Sequence, residues 1–363
     1  MNICFFCRGF STNGGIGRVT SIVANELATY PNLHVFLCSY SDEKADSNYY
    51  ISERCKHEFL FESPVSMTKA ILQKNAIGRL CRYIHNNQIN VIIACGVMYY
   101  SLAVMAARIC HIKVICWEHT DPNNKRDYRF QDQNRSFGAR HSDCNVVLTK
   151  SALEIYQRRF PASKTIQIYN PVDPILLQNR PQYDCESRRI ISVGRLRPQK
   201  NFDRLLDIAS RVIPKWPDWS WDIFGEGELH QHLVSKCEEL GLSNNIFFKG
   251  QVGDLYERYK EYAFIVMTSD YEGFPMTLLE GASNNLPMVA FDVPTGPDEI
   301  IENGRNGYLC NFSSNEEMET AIRNLIQDLE LRKTMSTFSR RTSENFGVKS
   351  ICNRWLELFE ALS

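Results

Sequence analysis

The sequence predicts an α/β protein with two doubly wound domains, in which each parallel sheet is covered by helices on both faces. Short apolar runs alternate with longer amphipathic stretches along most of the chain, and this pattern occurs twice. The 363 residues are enough for two domains of ordinary size, each with its own core. Between the two halves, Pro171 and Pro174 interrupt the pattern. These three observations indicate the fold class.

The first half of the chain is predicted to form five buried strands separated by helices. The strands cover residues 3–7, 34–39, 91–94, 113–117 and 145–148. The helices cover residues 18–30, 67–86, 102–110 and 151–160. Each strand is a nearly continuous apolar run, as expected for a parallel sheet that is buried on both faces.

The second half repeats this alternation. Its predicted strands cover residues 190–193, 221–224, 246–249, 264–267 and 287–291. Its predicted helices cover residues 202–213, 228–240, 254–262, 276–283 and 315–329. Near the end of the chain, apolar side chains at helical spacing predict one more helix, with Ile351, Trp355, Leu358 and Phe359 on its buried face.

The domain boundary is predicted next to Pro171, because two prolines restrict the backbone and end the preceding strand. We therefore expect a first domain at 1–170, a second at 171–345 and a C-terminal helix at 346–363. In open parallel sheets, ligands bind beyond the carboxyl ends of the strands. Two such domains facing each other would form a cleft between them and hold one ligand each.

The composition argues against secretion and against a membrane span. The 13 cysteines are scattered singly through apolar segments, which suits a reducing cytosol better than a disulfide framework. The apolar start of the chain ends at Arg8 and predicts a first strand rather than a signal peptide. Although the net charge is −1, basic residues are in excess in the first half. That excess would face an anionic acceptor or membrane surface, unless it is a chance imbalance on solvated surface.

The most informative local segment follows the predicted strand 264–267 and opens a helix. It reads Glu272-Gly273-Phe274-Pro275-Met276-Thr277-Leu278-Leu279-Glu280. Free backbone N–H groups at such a helix start form an anion site that matches a diphosphate. Glu272 would bind sugar hydroxyls from the loop, and Glu280 would reach a ribose from within the helix. The alternative is that both carboxylates only complement the helix or face solvent.

A second segment places two cations on one strand-to-helix loop. Arg195 and Lys200 follow the predicted strand 190–193 and Gly194. Both would converge on phosphate oxygens and neutralise a departing nucleotide diphosphate without a metal. The chain has no Asp-x-Asp pair to grip a metal–diphosphate complex. Two basic residues on a loop are otherwise usually solvated surface.

Four further positions are weaker candidates. Gly15 lies in a glycine-rich turn that would admit a phosphate or sugar, although a plain tight turn explains it nearly as well. His119 follows the predicted strand 113–117, where an isolated histidine is also often structural. Gly225 lies in a turn after a strand, near the expected donor. Val252 ends a segment whose exposed backbone edge would carry a flat base.

In this order the segments resemble the retaining glycosyltransferases of family 4, which have the GT-B fold. The resemblance covers nearly the whole chain and is carried by segments 14–17, 118–119, 170–173, 194–200, 224–227, 272–280, 296–301 and 306–309. It implies an acceptor-binding first domain, a donor-binding second domain and a last helix that crosses back onto the first. It further implies donor-diphosphate binding by Arg195 and Lys200, with Gly15 near the phosphates. Glu272 and His119 would act on the transferred sugar, and Glu280 on the ribose.

The resemblance also implies the reaction and the substrates. The leaving diphosphate would help deprotonate the acceptor hydroxyl in a same-face displacement, with no metal and no cofactor besides the donor. The segment 272–280 is similar to bacterial members that extend lipopolysaccharide, O-antigen or capsule glycans. UDP-galactose is the first expectation for the donor, with N-acetylgalactosamine, glucose or N-acetylglucosamine as other sugars. The acceptor would be a glycan or a lipid-linked oligosaccharide, and nucleic acid is not expected as a partner.

The expected location is cytoplasmic, with possible attachment to the inner face of the plasma membrane. The stretch 67–83 carries four cations among apolar residues, namely Lys69, Lys74, Arg79 and Arg82. A solvated helix face explains the same pattern. Other functions stay open: an epimerase or phosphorylase of GT-B-like fold, a non-catalytic nucleotide-sugar-binding subunit and, last, a dinucleotide-dependent dehydrogenase, for which the fingerprint is absent.

Overall fold

The computed structural model describes residues 1–11, 14–41, 47–61, 75–124, 130–178 and 182–362. They divide into two compact units. The first unit comprises Met1–Pro171 together with Val348–Ser363, and the second comprises Val172–Gly347. The sequence placed the corresponding boundaries after residues 170 and 345.

The first unit contains a seven-stranded sheet, all parallel, in the order β3-β2-β1-β4-β5-β6-β7. Its strands are β1 (Asn2–Cys7), β2 (His34–Ser41), β3 (Cys55–Phe61), β4 (Val91–Cys95), β5 (Lys113–Trp117), β6 (Cys144–Val147) and β7 (Thr165–Gln167). Its helices are α1 (Gly15–Leu27), α2 (Asn75–Asn86), α3 (Tyr100–Cys110), α4 (Gln131–His141) and α5 (Lys150–Arg159). The last helix of the chain, Val348–Glu360, also belongs to this unit and packs against α1.

The second unit contains a six-stranded parallel sheet in the order β10-β9-β8-β11-β12-β13. Its strands are β8 (Arg189–Val193), β9 (Ser220–Phe224), β10 (Ile246–Gly250), β11 (Phe264–Met267), β12 (Met288–Asp292) and β13 (Gly307–Asn311). Its helices are α6 (Pro174–Gln178), α7 (Phe202–Val212), α8 (His230–Glu239), α9 (Leu255–Arg258), α10 (Met276–Ser283), α11 (Asn315–Gln327) and α12 (Leu329–Glu344). The C-terminal helix of the chain, which belongs to the first unit, is α13 (Val348–Glu360). Both sheets confirm the predicted α/β class with two doubly wound parallel sheets.

The strands at the centre of each sheet are the ones that the sequence predicts best. β1 is buried from Ile3 to Cys7, and all of β11 is buried, so each reads as an uninterrupted apolar run. Three of the four edge strands, β3, β7 and β13, were not predicted, whereas the edge strand β10 was. Edge strands are partly exposed and carry polar side chains, which removes the apolar signal: β3 reads Cys-Lys-His-Glu-Phe-Leu-Phe.

The helices differ from the prediction in a similar way. α4, α6 and α12 were not predicted, and the predicted helix 254–262 is only Leu255–Arg258 followed by a 3₁₀ turn at Tyr259–Glu261. The sequence of α4 is mostly polar, and even its buried positions include the polar residues Gln131 and Arg135. It therefore lacks the apolar periodicity from which a helix is predicted. Of the predicted helix 67–86, residues 67–74 lie outside the described ranges, and α2 begins at Asn75.

Candidate functional site

In the second unit, the two motif loops lie side by side because β8 and β11 are neighbouring strands. Lys200 follows β8 and Glu272 follows β11, and the Lys200 Nζ lies 2.6 Å from the Glu272 Oε1. Both side chains are largely buried, with 17% and 7% of their surfaces exposed. The structure therefore joins in one ion pair two residues that the sequence assigned to different parts of a ligand.

Hydrogen bonds from the main chain and from side chains hold these two loops together. The Asp270 N–H donates to the Gln199 carbonyl at 2.9 Å, and the Asn201 side chain donates to the Asp270 carboxylate at 2.7 Å. The Thr268 hydroxyl donates to the carbonyl of Lys200 at 3.1 Å. These bonds fix the main chain at Lys200 against the loop after β11. The Lys200 ammonium therefore reaches Glu272 without a large loss of conformational entropy. The sequence did not single out Gln199, Asn201 or Thr268, whose contacts depend on strand order.

The helix α10 begins directly after this ion pair. Pro275 lies at the cap position and is buried, and its carbonyl accepts from the Leu278 N–H at 3.0 Å. Within the described part of the chain, no acceptor is found for the backbone N–H groups of Met276 and Thr277. Phe274 and Leu278 are buried and fix the start of the helix. The open donors form a local positive end suited to an anion.

One turn and a half further along α10, the Glu280 side chain is only 3% exposed. The Tyr259 hydroxyl donates to its Oε2 at 2.9 Å, and Tyr259 is itself fully buried. A buried carboxylate needs such donors, because an unpaired one is costly to desolvate. Tyr259 was not recognised from the sequence, where it falls inside a segment predicted as an ordinary amphipathic helix.

The remaining candidates of the second unit differ in exposure. Arg195 is exposed on the loop of Lys200, and Val252 is half-buried after β10. Gly225 has φ +130°, and a Cβ there would lie 2.0 Å from the Gly194 carbonyl oxygen. Only glycine fits this turn, so the protein backbone alone explains Gly225. The close approach of Gly225 to the Gly194 carbonyl also positions Gly194, from which the loop of Lys200 starts.

In the first unit, His119 lies just beyond the end of β5. Its ring packs on Trp117 with the ring centroids 4.3 Å apart, and its Nε2 is buried with no hydrogen-bond partner among the described residues. Burial lowers the pKa of His119 from 6.5 to about 3, so the imidazole is neutral at physiological pH. It therefore offers a neutral hydrogen-bonding group rather than a positive charge.

A buried network beside His119 was missed from the sequence. Glu118 accepts from the Arg135 Nε at 2.7 Å, from the Tyr156 hydroxyl at 2.9 Å and from the Thr120 hydroxyl at 2.6 Å. Arg135 and Glu118 are 0% and 1% exposed in their side chains. Four groups thus lock the loop that carries His119. The buried arginine gave no apolar signal, which is also why its helix was missed.

Gly15 is the first residue of α1, in the predicted glycine-rich turn. Among the described residues, a Cβ at Gly15 would meet nothing within 4 Å, so these residues leave room for a larger side chain. The preceding residue, Gly14, is held by Tyr49, whose hydroxyl accepts from the Gly14 N–H at 2.5 Å and donates to the Gly14 carbonyl at 3.0 Å. Asn13 lies outside the described residues.

No group of three or more His, Cys, Asp or Glu residues within the described ranges is arranged to hold a metal ion. A metal-free, cofactor-free reaction stays a prediction. None of the described helices combines the length and apolar character needed to cross a bilayer.

Two doubly wound parallel-sheet units, with polar loops at the strand ends of the second, define the class of GT-B-fold enzymes. Residues 13–175 match the family described as Glycosyltransferase Family 4, and residues 178–342 match the family described as Glycosyl transferases group 1. The chain belongs to these families and is a glycosyltransferase.

Three comparisons agree with this assignment. An "Uncharacterized glycosyltransferase" of Haemophilus influenzae is 28% identical over 353 residues, covering 97% of this chain and 98% of the relative. The "Amylovoran biosynthesis glycosyltransferase AmsD" of Erwinia amylovora is 27% identical over 363 residues, covering 96% and 97%. The fold is similar to that of Staphylococcus aureus TarM, solved with UDP, at a TM-score of 0.83, 16% identity and 99% coverage of both chains.

Proposed function

We propose that this glycosyltransferase moves a hexosyl group from a UDP-sugar to a glycan or lipid-linked acceptor, with retention of the anomeric configuration, in the synthesis of a bacterial surface polysaccharide. The observation that carries the proposal is the Lys200–Glu272 pair beside the open N–H groups of Met276 and Thr277. Cation, carboxylate and helix start together match a diphosphate with a sugar attached.

In the proposed reaction, the donor diphosphate contacts Lys200, Arg195 and the start of α10. The bond between the anomeric carbon and the diphosphate oxygen breaks, and the acceptor oxygen forms its bond on the same face. The acceptor proton passes to the departing diphosphate, whose added charge Lys200 and Arg195 stabilise. Glu272 would accept from the sugar hydroxyls, and neutral His119 would hydrogen-bond the sugar from the first unit.

Glu280 would hold the ribose of the nucleotide. Its Oε2 already accepts one hydrogen bond from Tyr259, which orients the carboxylate. A carboxylate has several acceptor positions and can take ribose hydroxyls in addition. Val252 and the backbone near it would face the base. UDP as the nucleotide is supported by the UDP in the TarM structure, and the polysaccharide role by the name of AmsD.

The nature of the sugar is proposed from the segment 272–280, with galactose first and N-acetylgalactosamine, glucose or N-acetylglucosamine as further candidates. The protein is proposed to work in the cytoplasm, next to the membrane that holds a lipid-linked acceptor. Exposed Arg79 and Arg82 on α2 support contact with an anionic surface, while Lys69 and Lys74 lie outside the described residues. Flotation with anionic vesicles at low salt tests this contact.

The test of the reaction is incubation of the purified protein with a panel of UDP- and GDP-sugars, with and without lipid-linked glycan acceptors. We expect UDP release that depends on the acceptor, a product heavier by one hexose unit, and an α-linkage from an α-linked donor. The same rate is expected in the presence of EDTA. Interconversion of the sugar without acceptor would instead identify an epimerase.

A further inference from the structure

A cavity of about 480 Å³ lies in the first unit, between the edge strand β3 and the helix α2. Its polar lining comes from Lys56 and Glu58 on the strand and from Arg79, Arg82, Asn86 and Asn87 at the helix. The volume falls in the range of small-molecule sites, roughly 300–1,000 Å³. None of the residues assigned to the sugar-transfer reaction lines it.

The charges of this cavity are unequal. Lys56 is neutralised within the lining, since its Nζ lies 2.7 Å from Glu58 and 2.7 Å from the side-chain oxygen of Asn87. Arg79 and Arg82 have no carboxylate partner among the described residues. The sequence of α2 contains no acidic residue at all. Two guanidinium charges are therefore left uncompensated on one helix face, three residues apart.

The two arginines also keep hydrogen-bond donors available. Arg79 donates one bond to the Leu60 carbonyl at 2.8 Å, and its guanidinium lies 4.8 Å from the centre of the Phe61 ring. These contacts fix the orientation of the Arg79 guanidinium group and occupy only its Nη1 nitrogen. Arg82 makes a single long bond of 3.4 Å to the carbonyl of Gly78 in its own helix. Asn86, one turn further, has no protein partner within the described ranges.

We propose that this cavity is a binding site for a phosphate ester, separate from the sugar-transfer site. A guanidinium presents parallel N–H donors that match phosphate oxygens. The guanidinium groups of Arg79 and Arg82 and the side-chain amide of Asn86 together offer more hydrogen-bond donors than the cavity lining can accept, which leaves donors for a phosphate. The Glu58 carboxylate, held by Lys56, can accept from a hydroxyl of the attached group. The phosphate belongs either to an anionic lipid headgroup or to a free phosphorylated metabolite.

The test measures binding and requires no glycosyl donor, so it is independent of the proposed sugar transfer. Its vesicle arm also tests the membrane contact proposed for α2, whereas its glycerol 3-phosphate arm does not. Glycerol 3-phosphate is titrated into the full chain by calorimetry, and phosphatidylglycerol vesicles are compared with phosphatidylcholine vesicles by co-sedimentation. We expect the double variant Arg79→Gln/Arg82→Gln to bind at least about tenfold more weakly, because both charge-assisted bonds are lost. Binding to glycerol 3-phosphate indicates a free ester; binding to phosphatidylglycerol vesicles alone indicates a headgroup.

The matched control is Arg108→Gln/Arg158→Gln, which removes two exposed charges from the same unit outside the cavity. Arg82→Gln alone keeps the Arg79 bond to Leu60 and guards against misfolding, and it should still weaken binding severalfold. Equal loss in the control and the cavity variant would mean unspecific attraction and would overturn the site. Absence of binding of either probe to the wild-type chain at low salt would overturn it as well.

Discussion

The Lys200 ammonium and the Glu272 carboxylate form a 2.6 Å ion pair between two loops that are 72 residues apart in the sequence. The pair brings the positive charge of Lys200 next to the hydrogen-bond acceptors of the Glu272 carboxylate. A ligand with a diphosphate next to a sugar would contact both members. Each residue also limits the cost of burying the other, since a buried charge without a partner is strongly unfavourable.

Replacement of Lys200 by Ala is expected to abolish donor use, with activity reduced by at least about a hundredfold, because diphosphate charge stabilisation is lost. The free energy of unfolding should fall by about 2 kcal/mol, since Glu272 is left buried without its partner. Steady-state kinetics and urea unfolding measure the two effects.

The double variant Lys200→Met/Glu272→Gln is the control for stability. It removes both charges together and should regain most of the unfolding free energy lost in Lys200→Ala, while staying inactive. Wild-type turnover in either variant would contradict the proposed roles. An inactive double variant that is as unstable as the single one would show that the pair does not carry the stability effect.

A second prediction concerns Glu280 and its partner Tyr259. Glu280→Gln keeps the volume and should raise the KM for the nucleotide sugar by about tenfold or more, because ribose hydroxyls lose a charged acceptor. Tyr259→Phe removes the 2.9 Å bond that orients the carboxylate and should raise KM by a smaller factor. An unchanged KM in Glu280→Gln would contradict the proposed contact of this carboxylate with the ribose.

Gly15 allows a direct test of ligand approach. Since a Cβ at Gly15 would meet no atom of the described residues within 4 Å, Gly15→Ala should leave the free energy of unfolding within about 0.5 kcal/mol of wild type. Donor use should nevertheless drop if a phosphate passes close to this residue. Gly78→Ala on α2, where a Cβ also meets nothing within 4 Å among the described residues, is the matched control and should keep full activity. Equal activity in both variants would remove Gly15 from the site.

In contrast to Gly15→Ala, substitution of Gly225 by Ala should lower the free energy of unfolding. A Cβ at this position would lie 2.0 Å from the Gly194 carbonyl oxygen, and φ is +130°. Gly225→Ala must therefore displace the turn and should cost about 3 kcal/mol of unfolding free energy or more. Chemical denaturation measures the loss, with Gly78→Ala again as the control. A stable Gly225→Ala protein would mean that this turn adjusts easily.

The sequence allowed most of the fold to be predicted, but only part of the site. Central strands such as β1 and β11 are continuous apolar runs, so burial on both faces leaves a clear signal. Edge strands such as β3 mix polar and apolar side chains, and their pairing is decided by neighbours rather than by local pattern.

Residue types at the site were predictable, whereas their contacts were not. Lys200 and Glu272 stood out because each lies in a loop after a buried strand. Their direct ion pair depends on β8 and β11 being adjacent, which neither loop encodes. Arg135 was missed for a related reason: a fully buried arginine is stabilised by Glu118, 17 residues away, and a single polar residue in a polar helix gives no sign of burial.

The pKa of His119 makes stability depend on pH. Burial lowers this pKa from 6.5 to about 3 in the folded chain, so the unfolded chain binds the extra proton first as the pH falls. The resulting stability is complete above pH 6.5 and is lost progressively towards pH 3. Between pH 7 and pH 5, wild type should lose about 1–2 kcal/mol more than His119→Asn in urea unfolding. Parallel curves for the two proteins would contradict the lowered pKa.

Trp355 of α13 is expected to keep His119 in this buried state. The Trp355 ring lies 4.9 Å from Trp117, which in turn lies 4.3 Å from His119. The His119 Nε2 has no hydrogen-bond partner within the described residues that would orient the ring instead. Trp355→Ala should admit water to this stack, raise the pKa of His119 towards 6.5 in a histidine NMR titration, and lower kcat. Ile351→Ala removes a buried side chain from the same helix outside the ring stack and should leave the pKa near 3. If both variants keep the wild-type pKa and lose activity equally, the helix supports the unit as a whole and has no specific effect on His119.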